Sequence, residues 1–147
     1  MFLGRYRHNL DSKDRLTIPA KFRESLADDV YFVYGLDRNV MVMSTPTFEK
    51  ITRRLADLSI TDNDVRLLNR RILGTATLET IDKNGRVLLP DFLREEVGLG
   101  KELILVGQGE YFEIWSPEEW AKQIAAQLDL EANNQRLKVL DLRLGSD

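Results

Sequence analysis

A stretch of ten residues near the N-terminus recurs 71 positions later, and this duplication restricts the chain to folds built from two like halves. Leu10-Asp11-Ser12-Lys13-Asp14-Arg15-Leu16-Thr17-Ile18-Pro19 stands against Ile81-Asp82-Lys83-Asn84-Gly85-Arg86-Val87-Leu88-Leu89-Pro90. Asp, Arg and Pro recur identically, and apolar positions meet apolar positions. The register continues through Phe22-Arg23-Glu24 against Leu93-Arg94-Glu95, Leu26 against Val97, and Thr45-Pro46 against Ser116-Pro117. Beyond that point Phe48 and Trp120 correspond only if one residue is inserted. Chance produces one Asp-x-x-x-Arg pair; it does not produce this ordered set.

Each copy reads alike in secondary structure. A short β segment (Leu16–Ile18, Val87–Leu89) runs into a proline suited to the first turn of a helix. The helix that follows is short, with Phe22 and Leu26, or Leu93 and Val97, four apart on one face, and Gly98 is placed to cap the second. Two hairpins are expected, Val30–Tyr34 with Val40–Met43 and Leu103–Val106 with Tyr111–Trp115, across turns rich in Gly, Asp and Asn. A longer helix closes each copy. The first starts near Thr45-Pro46 and buries Phe48, Ile51, Leu55 and Leu58; the second starts at Ser116-Pro117-Glu118-Glu119 and buries Trp120, Ile124 and Leu128. Between the copies, 61–73 has a helical period with Asp62 near its start, and 75–81 alternates as a strand does. Leu137, Leu140, Leu142 and Leu144 form a leucine-rich tail suited to packing on a neighbour.

These elements predict an α+β chain organised as a first module over residues 1–60, a linker helix over 61–74 and a second module over 75–147. A β unit of roughly 50 residues buries too little surface to stand alone, so the copies are expected to complete one another's core. The expected body is a pseudo-two-fold, barrel-like β structure with helices outside.

Composition excludes several function classes. With no cysteine there are no disulfides, thiolate zinc sites or cysteine nucleophiles, and a cytosolic location is the simplest reading. No apolar run approaches the roughly 18 residues of a membrane helix, and no apolar stretch behind Arg5 gives a secretory signal. The formal net charge of −3 is unevenly spread. Residues 1–23 carry Arg5, Arg7, Lys13, Arg15, Lys21 and Arg23 against only Asp11 and Asp14, a basic segment able to meet phosphate within an acidic chain.

The Asp-x-x-x-Arg segment falls where one β segment turns into the next. Its Asp can accept from backbone N–H groups of its own turn, and its Arg then projects from the loop tip. Arginine's planar fork suits bidentate bonds to guanine or to phosphate oxygens, and two loops related by a pseudo-dyad would offer two arginines to one groove. The alternative is an Asp–Arg pair that only staples a hairpin. His8, the single histidine, lacks the partners a metal site needs and reads as a loop residue able to touch phosphate. Neither Ser12 nor Ser25 lies in a nucleophile-elbow context, and Gly107-Gln108-Gly109 is too short for a phosphate loop. No cofactor, metal or small-molecule substrate is expected. Arg66, Arg70 and Arg71 form a second basic group, better suited to a solvated face or subunit contact than to DNA.

Residues Met1 to Arg23, together with Ile81-Asp82-Lys83-Asn84-Gly85-Arg86-Val87, Leu105-Val106-Gly107 and Phe112-Glu113-Ile114-Trp115, closely resemble the bacterial MraZ family over nearly the whole chain. The resemblance implies a SpoVT/AbrB-like swapped-hairpin β-barrel with peripheral helices, both half-modules lying in one polypeptide. It implies a nucleoid-associated regulator that binds direct repeats in double-stranded promoter DNA, represses its own division and cell-wall operon, and assembles into homo-oligomeric rings. It carries the DNA-contacting motif onto Asp11 and Arg15 and onto Asp82 and Arg86, with Arg5, Arg7, His8, Lys13 and Lys83 beside them. The chain departs from the family where Asp14 stands in place of the usual glycine before the first arginine. A ring-forming or antitoxin-like scaffold that holds another protein is the rival reading, favoured by the leucine series at the C-terminus.

Overall fold

The computed structural model describes residues 1–141 and divides into two compact units, the first Met1–Pro117 and the second beginning at Glu118. Leu142 and Leu144 of the leucine tail lie outside the described residues.

In the first unit the strands are β1 (Arg5–Asn9), β2 (Arg15–Thr17), β3 (Asp29–Tyr34), β4 (Val40–Met43), β5 (Thr77–Thr80), β6 (Arg86–Leu88), β7 (Glu102–Gly107) and β8 (Phe112–Trp115). The helices are α1 (Ala20–Arg23), α2 (Thr45–Ala56), α3 (Asn63–Ile72) and α4 (Asp91–Val97). Six strands form an antiparallel sheet in the order β1-β7-β8-β4-β3-β5, and β2 with β6 makes a separate two-stranded ladder. Written by repeat, the order is a palindrome: the first strand of each copy pairs with the third strand of the other, and β4 meets β8 in the middle. Two ladders straddle the pseudo-dyad. Leu16 faces Val87 in one and Met41 faces Glu113 in the other, and the flanking pairs exchange under the repeat. Among the described residues no ladder joins β1 to β5, so the α+β architecture is a mostly antiparallel open sheet with a second ladder, and barrel closure is not among its pairings.

The repeat offset is not constant. It holds at 71 through the loops and β2/β6, but α4 has seven residues against four in α1, and the pairing of β3 and β7 runs at an offset of 73. A hairpin turn one residue shorter in the second copy returns it to 72, so Ser44 matches Ser116 and Phe48 matches Trp120. The expected match of Thr45-Pro46 with Ser116-Pro117 is therefore one residue out of register.

The sheet is buried on both faces, which is why β4 and β8 are buried at every residue. One face meets the β2–β6 ladder, α1 and α4 in a core drawn from both copies. Its centre is aromatic: Phe22 lies 5.3 Å from Phe2, 5.2 Å from Tyr6 and 4.9 Å from Phe112, ring centre to ring centre. On the other face Val33, Met41 and Met43 pack with Phe48 and Leu55 of α2 and Ile72 of α3. Ser44 caps α2 by accepting from the N–H of Thr47, and Asp62 caps α3 by accepting from the N–H of Asp64. Gly98 ends α4 in the left-handed conformation at φ 75°, as its position in the sequence predicts.

Several sequence expectations shift. The helix after Pro19 stops at Arg23, so Leu26 packs from beyond it. α2 ends at Ala56, which leaves Leu58 exposed past the helix rather than on its buried face. Arg71 of α3 donates to the carbonyls of Gly35 and Asp37 and lies 4.3 Å from the Tyr34 ring, tying the helix to the β3–β4 turn.

The second unit contains most of α5 (Pro117–Gln127) and all of α6 (Leu130–Leu140). Asp129 caps α6, accepting from the N–H of Ala132 at 3.0 Å. Trp120 is buried in α5, but Leu128 falls beyond the end of that helix and is exposed. No residue of α6 is buried, and Leu130, Leu137, Val139 and Leu140 are exposed on it.

Candidate nucleic-acid interface

The two Asp-x-x-x-Arg segments fold into near-identical loops. In the first, one carboxylate oxygen of Asp11 accepts from the N–H groups of Lys13 and Arg15, both at 2.9 Å, and the other accepts from Arg15 Nε at 2.8 Å. In the second, Asp82 accepts from the N–H groups of Asn84 and Arg86, both at 2.9 Å, and from Arg86 Nε at 3.0 Å. The backbone repeats too, with Asp14 N–H donating to Asp11 C=O and Gly85 N–H to Asp82 C=O. Each turn requires a left-handed residue at its fourth position, supplied by Asp14 at φ 58° and Gly85 at φ 78°.

These hydrogen bonds set the charge state of the loops. The Arg15 N–H lowers Asp11 below the ordinary carboxylate range, partial desolvation opposing it, and the Arg86 N–H does the same for Asp82. Both aspartates stay ionised at neutral pH and hold the guanidinium groups of their arginines by Nε alone. Among the described residues nothing accepts from the terminal Nη nitrogens of Arg15 or Arg86. The arginines do not stand at the loop tips, as the sequence suggests. Each is the first residue of its strand, because the Asp-closed turn returns the chain to extended backbone there.

That placement brings the two arginines together. Strand side chains alternate between faces, and Leu16 and Val87 point into the core. Arg15, Thr17, Arg86 and Leu88 therefore share the outer face of the ladder. Arg15 opposes Leu88, which puts Arg86 on its diagonal, about 7–8 Å away by sheet geometry. Lys13 and Lys83 are exposed on the adjoining loops, at non-equivalent positions of the repeat.

The remaining predicted residues lie elsewhere. Arg5, Arg7 and His8 are on β1, in the six-stranded sheet. Arg7 forms an ion pair with Glu102 of β7, and partial burial lowers the pKa of half-buried His8. Two cations that neutralise Asp14 beside the first loop escape sequence reasoning. Arg94 of α4 and Lys101 converge on Asp14, with Arg94 Nη2 at 3.4 Å and Lys101 Nζ at 2.8 Å from its two carboxylate oxygens. Asp14 is lowered in pKa, chiefly by the Lys101 hydrogen bond, and its carboxylate faces these cations instead of Arg15. The recurrence of Arg23 and Arg94 was a usable signal for the first; Lys101 has none, because its counterpart in the first copy is Asp28. Among the described residues no group of His, Asp and Glu is arranged to hold a metal, and no helix is long and apolar enough to cross a membrane.

Comparison with known proteins agrees with the duplicated architecture. The family described as "MraZ protein, putative antitoxin-like" matches residues 1–71 and again residues 72–141. The chain is 42% identical to the transcriptional regulator MraZ of Thermomicrobium roseum over 84% of this chain and 87% of that protein. It is 37% identical to the protein of the same name from Roseiflexus castenholzii over 97% and 99% of the two chains. A third so named, from Desulforamulus reducens, is 42% identical over 82% and 84%. Matched by the family in both halves and by these relatives over most of its length, the chain belongs to the MraZ family.

Proposed function

We propose that this chain is a transcription regulator without catalytic activity that binds double-stranded promoter DNA through the outer face of the β2–β6 ladder. The observation that carries the reading is the pair Arg15 and Arg86, diagonal neighbours on one exposed face, held at Nε with both Nη ends available. A guanidinium oriented in this way loses little freedom on meeting a phosphate or a base edge. The name "Transcriptional regulator MraZ" borne by the relatives supports the same reading. Lys13 and Lys83 would supply further phosphate contacts, while Arg5, Arg7 and His8 would reach DNA only where it extends over β1.

In its full form the proposal is a cytoplasmic, nucleoid-associated repressor of its own division and cell-wall operon, acting on direct repeats. Its half-modules, 1–60 and 75–147 joined by a helix in 61–74, would form a swapped-hairpin barrel, and copies would assemble into rings. Weak contacts by successive subunits would then add through avidity. The strand exchange between copies supports the swapped arrangement. Titrating the chain against a fluorescent duplex of its own upstream region and a scrambled duplex of equal length tests the reading. Tighter binding to the native duplex is expected; equal affinity for both would refute sequence-specific regulation.

A second reading, a scaffold that holds another protein, is favoured by the exposed apolar residues of α6 and by the antitoxin-like description of the family. It predicts no preference for the native duplex and no dependence on Arg15 or Arg86.

A further inference from the structure

We propose that Arg23 is a phosphate-contacting residue of the second loop, and that Asp14 withholds the equivalent role from its repeat counterpart, Arg94. The proposal rests on the DNA-binding reading above and refines it: the two halves grip the backbone unequally. Arg23 and Arg94 stand 71 residues apart and reach across to the other copy's loop, Arg23 to Gly85 and Arg94 to Asp14. The asymmetry lies in what each finds there. Arg94 meets a carboxylate, Asp14, which also receives Lys101, and it lies 3.3 Å from Asp91 as well. Arg23 meets Gly85. Its guanidinium fills the space a side chain would occupy, since a Cβ on Gly85 would fall 2.4 Å from Arg23 Nη1 and 2.7 Å from Cζ.

Gly85 has no side-chain acceptor, its carbonyl takes the N–H of Ile18 at 2.9 Å, and Arg23 is exposed. Among the described residues no hydrogen bond or ion pair engages its guanidinium. Loop two thus holds one ion pair, Asp82–Arg86, with the Arg23 guanidinium against the intervening Gly85 and Lys83 exposed beside it, whereas Arg15, Arg94 and Lys101 at loop one are paired with Asp11, Asp14 and Asp91. Asp82 neutralises only one of these cations, and a phosphodiester seated between Arg23 and Arg86 would offset the positive charge that remains. Arg94, already neutralised, would gain less from the same contact.

The test is a salt titration of the full chain on fluorescent duplexes of native upstream and scrambled sequence, read as the slope of log affinity against log salt. Each phosphate contact contributes roughly 0.9 to that slope. R23A should weaken binding to both duplexes several-fold and lower the slope by about one contact, R23K should keep most of it, and R94A should leave it unchanged. D14G should release Arg94 and raise the slope by a similar amount, and D14G/R94A should return it to the wild-type value. D14G also removes a non-glycine residue from the left-handed region, so the turn itself accepts the change, and a thermal melt of the same sample checks that the chain stays folded. An unchanged slope in both R23A and D14G, with the wild type bound and R15A/R86A not bound, would overturn this inference alone. Failure of the wild type to bind either duplex would overturn the DNA reading along with it.

Discussion

The loop geometry allows the stapling and the reading roles of Arg15 and Arg86 to be separated by one pair of measurements. Each arginine spends Nε on its own loop's aspartate and leaves both Nη nitrogens for a ligand. In Arg15→Ala or Arg86→Ala the folded chain loses one ion pair whose side chains are about a third exposed, at 29% and 34% in the first loop and 34% and 36% in the second. Pairs so exposed contribute little, and the aspartate retains its two backbone donors, so the melting temperature should move by no more than a few degrees. The bound state loses much more. A charge-assisted contact from Nη to phosphate or a base edge contributes about 1.5–3 kcal/mol, so each single variant should bind the native duplex about tenfold to a hundredfold more weakly. If the contact is to phosphate, the salt slope should also fall by about 0.9 for each arginine removed. Fluorescence anisotropy across a salt series, paired with thermal melts of the same samples, gives both quantities. Affinity that falls only in proportion to melting temperature would show that the arginines are staples and nothing more, and the proposed interface would be wrong.

Other outcomes follow from packing, backbone and titration. Phe22→Ala removes the ring at the centre of the aromatic core, 1% exposed, and should cost about 3–5 kcal/mol of unfolding free energy in urea denaturation. Gly107→Ala would set a Cβ 2.5 Å from the backbone of Phe2 and Leu3, so the N-terminal segment should detach from β7, with faster hydrogen exchange at the Phe2 and Gly109 amides that pair there. Because Asp11 and Asp82 are lowered in the folded chain, their contribution is fully present above the unfolded carboxylate pKa and is lost as pH falls through the folded value. Stability measured from about pH 5 downward should therefore drop less steeply in the Asp11→Asn/Asp82→Asn variant than in the wild type; identical slopes would contradict the assigned shifts.

Much of this architecture is legible in the sequence because the duplication carries it. Matching Asp11 to Asp82 and Arg15 to Arg86 was enough to predict two equivalent turns, and the structure repeats them bond for bond. The alternation of 75–81, the Asp62 cap and the Gly98 terminus rest on local chemistry that tertiary contacts leave in force. What escaped depends on long-range pairing. β1 carries arginine, tyrosine and histidine and has no strong local strand signal; β7 recruits it as an edge strand. Leu58 and Leu128 match the helical period but fall beyond helix ends, which periodicity does not fix. The position of Arg15 at the strand start, and not at the loop tip, follows from the aspartate closing the turn early.

Strand exchange explains why the site has the geometry it has. Neither half carries a complete sheet, since β1 finds its partner in the second copy and β5 finds its partner in the first. The loop of each half is therefore anchored at one end by the other half's strand and at the other end by the shared ladder. Leu16 and Val87 pin that ladder from beneath at less than 2% exposure. The spacing of Arg15 and Arg86 is thus a property of the joint core, with no flexible linker between them to widen or narrow it. A substitution deep in that core would change the distance between the arginines without touching either one. Divergence of the two halves is tolerated only where it leaves this frame intact. Asp14 against Gly85 is such a place: both accept the left-handed turn, so the frame is preserved, and what differs is the charge each loop offers above it.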